Sequence, residues 1–198
     1  SLIKLKPFLV SNSQFEIEEI DTKIFKQLKI GELLKAKDIL KQITAKNEII
    51  FNSKKFSRSF LNKLNLKFDL AYGKLNYSKT LSISDDVFQC KGNINLIEEF
   101  PLLFFDCSIN SDSKRNLFKK LNINTKKDNE TFILNTKGYL NVLNQKINFQ
   151  DISLDENYKA SKEDLIYFKK SFENILFDED FVRIFNLNKI KEFILEIL

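Results

Sequence analysis

From Leu64 to Ile83 the apolar residues fall on every second position. Leu64, Leu66, Phe68 and Leu70 alternate with Asn65, Lys67 and Asp69, and after Gly73 the series resumes through Leu75, Tyr77, Leu81 and Ile83. Successive side chains of a strand point to opposite faces of its sheet, so this predicts two strands with one buried face. The pattern is firmest further on. Phe88, Cys90, Gly92, Ile94 and Leu96 alternate with Val87, Gln89, Lys91, Asn93 and Asn95, and beyond Pro101 Leu103, Phe105, Cys107 and Ile109 keep the same period. A hairpin turning between Glu98 and Glu99 opposes Cys90 to Cys107, Phe88 to Ile109, Gly92 to Phe105 and Ile94 to Leu103. All four pairs then share the apolar face. A slip of one residue would turn one strand's apolar set outward, whereas a slip of two or a bulge would not.

Elsewhere the period differs. Residues 2–10 and 15–24 carry short alternations, and Leu33, Leu34, Ala36, Lys37, Leu40 and Ile43 recur at helical spacing, predicting a helix over 31–45. A short strand is expected at Glu48–Phe51, then a helix capped by Ser53 that carries Phe56, Phe60 and Leu64 on one face. Ser161 and Asp164 form a capping-box start, with Leu165, Phe168, Phe172 and Ile175 on one face of a helix to about Phe177. Asp178 or Asn188 is the candidate cap for a further helical run through Phe181, Ile184 and Phe185, and then Ile190, Phe193, Ile194 and Ile197.

Laid on itself, the chain shows a weak repeat. Ser53-Lys54-Lys55 and the following Phe60–Leu66 resemble Ser113-Lys114-Arg115 and the following Leu117–Ile123; Gly73–Tyr77 resembles Gly138–Val142. Each unit would be a short helix, a strand, a glycine break and a strand pair. The expected organisation is a single segment: 1–52 as leading strands and helix, 53–158 as an antiparallel sheet with two such repeats, and 161–198 as C-terminal helices. Having no Met, and starting at Ser1, the chain is expected to be a piece of a longer protein.

Composition narrows the function classes. Hydrophobic residues make up 43% of the chain and 20 residues are Phe, against 4 Gly and 2 Pro, which excludes disorder and fits a packed domain. The net charge of +5 invites an anionic partner, but only Arg58, Arg115 and Arg183 among the 32 basic residues carry the guanidinium fork suited to phosphate. Acidic residues, 27 of them, are interleaved rather than segregated. Nucleic acid is therefore not expected as a partner, and binding to anionic vesicles should be weak and salt-sensitive. With no His in the chain, the usual base of a triad or proton shuttle is missing, and no phosphate-cradling glycine loop or zinc spacing occurs. No enzyme, no cofactor and no metal site is expected. Glu98-Glu99, Asp85-Asp86 and Asp178-Glu179-Asp180 read as ordinary turn and helix-start acids. Cys90 and Cys107, opposed across the hairpin, are close enough to bond, though two free thiols packed as small hydrophobes satisfy the same placement.

What remains is the apolar stripe, which suits either a closed sheet-on-helix core or an open groove. The stretch Tyr72–Tyr77 through Leu81–Phe88 to Lys91–Leu96 resembles the C-terminal region of AsmA-like envelope proteins, the group that includes YhdP and TamB relatives: a G-x-L strand, an alternating strand, then a G-x-[IL]-x-L strand and a longer one, here Pro101–Ile109. The resemblance spans about residues 64–154 and brings no catalytic residue. It implies a periplasmic β-groove protein, anchored in the inner membrane, that carries lipid between membranes, and an oxidising compartment in which Cys90 and Cys107 would bond. The helices exceed what a groove repeat needs, which suggests a terminal cap or an accessory domain.

The expected fold is therefore α+β, a curved antiparallel β-sheet with flanking helices and a helical C-terminal segment. The expected function is an apolar β-groove for phospholipid or another acyl-chain ligand, with envelope membrane proteins as further partners and membrane contact through the parent protein. The groove candidates are Leu66, Phe68, Leu70, Leu75, Tyr77, Leu81, Ile83, Phe88, Cys90, Ile94, Leu103, Phe105, Cys107 and Ile109. The alternative is a structural or partner-binding module of an envelope complex with no ligand of its own.

Overall fold

One sheet organises the chain. The computed structural model describes residues 2–4, 9–17, 34–53, 62–83, 86–123, 130–176 and 187–197. Their strands are β1 (Leu2–Lys4), β2 (Leu9–Ile17), β3 (Ile43–Asn52), β4 (Lys63–Ala71), β5 (Lys74–Ile83), β6 (Asp86–Asn95), β7 (Leu102–Ser111), β8 (Phe132–Asn141), β9 (Lys146–Leu154) and β10 (Tyr158–Lys159). They lie side by side in chain order as an open, curled sheet. Every neighbouring pair is antiparallel except β2 and β3, which run parallel. The helices among the described residues are α1 (Lys37–Leu40), α2 (Lys114–Lys120), α3 (Lys162–Leu176) and α4 (Leu187–Ile197). Both edge strands are short, which limits the row of unpaired backbone groups offered to another chain.

The register expected for the central hairpin is the one observed: Phe88↔Ile109, Cys90↔Cys107, Gly92↔Phe105 and Ile94↔Leu103. Burial of one face is what pins it. The β4–β5 connection is a two-residue turn in which Tyr72 and Gly73 both take positive φ, 51° and 78°, the handedness that matches the twist of a tight hairpin. Ser113 caps α2, its hydroxyl accepting from the Asn116 N–H at 3.3 Å. Ser161 and Asp164 form the reciprocal cap ahead of α3, at 2.9 and 3.2 Å.

Several expectations are corrected. The helix expected over 31–45 is confined, among described residues, to α1 and its immediate flank, because Ile43 begins β3: Ala45, Asn47, Ile49 and Phe51 face one way and Lys46, Glu48 and Ile50 the other, so the short strand expected at Glu48–Phe51 runs the whole length from Ile43 to Asn52. The sheet does not start at residue 53, since β1–β3 of the leading region belong to it, and the β2–β3 pair breaks the purely antiparallel expectation. The second repeat departs from the first at its glycine. Gly138 lies inside β8, beside a bulge in the β8–β9 pairing, instead of at a break. α4 begins at Leu187, so Asn188 sits within its first turn and does not cap it. The helix expected after Ser53, with Phe56 and Phe60, falls on 54–61, outside the described residues, as do the alternate cap Asp178 and the run through Phe181, Ile184 and Phe185.

The main core lies at the β8–β9 end. Phe132 and Leu134 of β8 and Ile147, Phe149 and Ile152 of β9 are buried with Leu117 and Phe118 of α2, Leu121 at its C-terminal cap, Phe168 of α3 and Ile194 of α4. Edge-to-face ring pairs join the layers, Phe118 to Phe132 at 5.3 Å and Phe149 to Phe172 at 5.3 Å. The buried Lys114 ammonium lies 5.6 and 5.5 Å from the Phe118 and Phe132 ring centres, an orientation that offsets part of its desolvation. A smaller cluster gathers Leu40 of α1 with Ile94 and Leu96, against Leu70, Leu75 and Leu103.

Candidate functional site: the inner face of the sheet

Register extends the inner face across nearly the whole sheet as transverse rows. One runs Ser13, Asn47, Phe68, Tyr77, Gly92, Phe105, Gly138, Phe149 from β2 to β9. The next runs Phe15, Ile49, Leu66, Lys79, Cys90, Cys107, Thr136, Ile152. A third, Ile17, Phe51, Leu64, Leu81, Phe88, Ile109, Leu134, Leu154, is apolar throughout. All fourteen groove candidates fall on this one face. The opposite face is polar over β3–β6, where Lys46 pairs with Asp69 at 3.6 Å and Lys67 with Glu48 at 3.1 Å. Hydrogen bonds from Asn65 and Lys67 hold the Glu48 carboxyl below its ordinary pKa.

Two glycines let the face close up. A Cβ at Gly92 would stand 1.8 Å from the Phe104 carbonyl oxygen, and one at Gly138 would stand 2.2 Å from that of Asn148. Either would force neighbouring backbones apart, so the small residues permit the close approach at which the sheet bends. The bent stretch brings Phe105 against Phe149 at 6.0 Å.

Cover over the face is uneven. Ile83 and Phe88 belong to the sealed core, with Leu81, Leu103, Phe105 and Ile109 packed against it; Ile94 lies in the smaller cluster, with Leu70 and Leu75 at its margin. Leu66, Phe68, Tyr77, Cys90 and Cys107 belong to neither cluster among the described residues, although Leu66 is buried, as are Phe51 and Leu64 on the same face. At the β2 end Phe15 is 51% and Leu9 36% exposed.

The middle rows also hold polar groups that the apolar-stripe reading left out. Ser13 donates to Asn47 across β2 and β3. Cys90 and Cys107 form a disulfide with Cα atoms 4.0 Å apart, and the Tyr77 hydroxyl lies 3.9 Å from Cys90 Sγ and donates to the Phe104 carbonyl at 3.4 Å. Burial pushes the Tyr77 phenol up to about 12 and the Lys79 ammonium down to about 8. Lys79 was legible as the one break in the alternation of β5, between Tyr77 and Leu81. At the α2 end the buried Asp86 is paired with Lys120 at 2.9 Å.

A depression of about 590 Å³ is lined mostly by outward side chains such as Asn12, Lys46, Glu48 and Lys67, together with Phe68 and Tyr77. Most of its lining residues are polar. No described cluster of acidic or sulfur side chains has metal-binding geometry, and no described helix is long and apolar enough to cross a membrane.

These features define a class by architecture: an amphipathic curled sheet with helices over one end. Comparison of the chain with protein-family models, curated proteins and solved structures found no match.

Proposed function

We propose that the chain is a non-enzymatic lipid-handling segment of a bacterial envelope protein, whose curled sheet offers an apolar groove to phospholipid acyl chains in transfer between inner and outer membranes. The observation that carries this reading is the continuity of one largely apolar face from β2 to β9, opposite a polar one, with the β2–β4 part outside the main core. A globular α+β core needs only as much apolar face as its helices cover; here the pattern continues past the described helices. A periplasmic location and an anchored parent follow from the same reading, and the Cys90–Cys107 bond suits an oxidising compartment.

The alternative, a structural or partner-binding module, draws its support from the sealed β8–β9 end, where α2, α3 and α4 leave the face no room for a ligand. Native mass spectrometry of the chain purified from Gram-negative envelopes separates the two. Co-purified phospholipid, lost when Phe68 and Leu66 are both changed to Gln, is expected for the groove. A lipid-free mass under conditions that retain lipid on a control lipid carrier contradicts it.

A further inference from the structure

The outward face carries a second row that the lipid reading does not use. Asn76, Asn93, Phe104, Tyr139 and Asn148 are opposed in succession across β5, β6, β7, β8 and β9. Two rings therefore sit side by side with amides on both flanks. Phe104 is 41% exposed, and its ring centre lies 5.9 Å from that of Tyr139 with the planes inclined by 52°. Asn148 Nδ2 donates to the Tyr139 hydroxyl at 2.6 Å, which fixes the position of that ring. Beside Phe104 opens a cleft of about 250 Å³ lined by Asn76, Asn93, Asn95 and, at its rim, Lys74 and Glu98. Asn95 Nδ2 is engaged by Glu98 at 2.7 Å, while its Oδ1, shielded from solvent, has no hydrogen-bond partner among the described residues.

We infer that this row and its cleft form a binding site for a neutral oligosaccharide, with Phe104 and Tyr139 stacking on sugar rings and Asn76, Asn93 and Asn148 meeting their hydroxyls. The chemistry selects the ligand. An aromatic face is electron-rich and attracts the C–H-bearing face of a pyranose. Each Asn amide presents both a donor and an acceptor, as each sugar hydroxyl does, so amide and vicinal diol are mutually complementary. The one cation and one anion at the rim, Lys74 and Glu98, balance, and no Arg lines the cleft, so a phosphate or a carboxylate finds no net attraction. An acyl chain would strip water from the Asn76 and Asn93 amides and offer them no hydrogen bond, which disfavours a lipid on this face.

The test titrates the chain with maltohexaose, cellohexaose, laminarihexaose and chitohexaose, followed by calorimetry and by amide chemical shifts. Binding of at least one with a dissociation constant below about 1 mM is expected, with shifts confined to β5–β9. Phe104→Ala and Tyr139→Ala should each weaken it by about tenfold or more. Phe104→Leu keeps apolar bulk without a ring and should lose binding to the same degree, with an unchanged amide fingerprint showing that the fold is kept. Failure of all four sugars to bind at about 10 mM, or binding untouched by Phe104→Leu, overturns the assignment. This outcome is independent of whether phospholipid co-purifies.

Discussion

The two ends of the inner face share an alternation and differ in what lies over it. At β8 and β9 Phe132, Leu134, Phe149 and Ile152 are pressed under α2, α3 and α4. At β2 and β3 the same rows carry Ser13 with Asn47, Phe15 with Ile49, and Ile17 with Phe51; Phe15 is half exposed and Ser13 is bonded to Asn47, while Phe51 is buried. Strand pattern thus specifies which way a side chain points, and a separate element decides whether it is sealed. The polar pair at the β2–β3 end is what a face tolerates where burial is incomplete, since an amide beneath a helix would need a dedicated partner.

The largest effect expected from this difference is in stability. Phe118→Ala, at a fully buried ring that contacts Phe132, should cost about 3–5 kcal/mol in urea unfolding, whereas Phe15→Ala should cost less than about 1 kcal/mol. Equal costs would show the two ends to be one closed core. Next, Gly92→Ala should destabilise by about 3 kcal/mol, because its methyl meets backbone and cannot be accommodated by a rotamer change. A neutral result would remove the close approach as the basis of the bend.

The Cys90–Cys107 bond lies between the two ends and closes a separation of 17 residues. Reduction should cost about 2–3 kcal/mol through the loop entropy returned to the unfolded chain, and leave hydrogen-exchange protection of β6 and β7 in the same register. Loss of that protection would mean that the bond, and not burial, sets the pairing. The smallest effect concerns Lys79. Its ammonium sits at about 8 in the fold against an ordinary 10.5, so between these values the unfolded chain holds the proton more readily. Stability should therefore rise with pH through that window, with the desolvation penalty fully present below it. Tyr77 acts oppositely above pH 10, where the folded phenol keeps a proton the unfolded one has lost. Lys79→Met should stabilise by about 1 kcal/mol at pH 7 and flatten the rise between pH 8 and 10, measured by urea midpoints across pH.

The strands from β4 to β7 were readable because one-sided burial leaves a period of two that no helix reproduces, and because shifting any of them by one residue exposes its apolar set. β3 was misread at its start because Leu33, Leu34, Leu40 and Ile43 fit a helical period across a helix–strand boundary, and short apolar runs do not distinguish the two. The parallel β2–β3 pairing leaves no mark in either strand, since alternation is indifferent to strand direction. Gly138 was taken for a break because a glycine serving a close approach and one serving a turn are the same letter; among the described glycines only Gly73 has positive φ. The aromatic row on the outer face was hidden by Leu102-Leu103-Phe104-Phe105, a continuous apolar run in which the outward ring cannot be told from the inward one. Cover over the face was not readable at all, because it depends on where the helices fold back and not on the strands themselves.

Paramagnetic relaxation by a doxyl-labelled stearate, read on the methyl and aromatic resonances of the chain, tests the central claim most directly. The account predicts distance-dependent broadening of Ile49, Leu66 and Phe68, with Leu134 and Ile152 beneath the helices left sharp. Broadening that is absent, or that falls only on outward residues such as Phe104, would contradict an open acyl groove at the β2–β4 end.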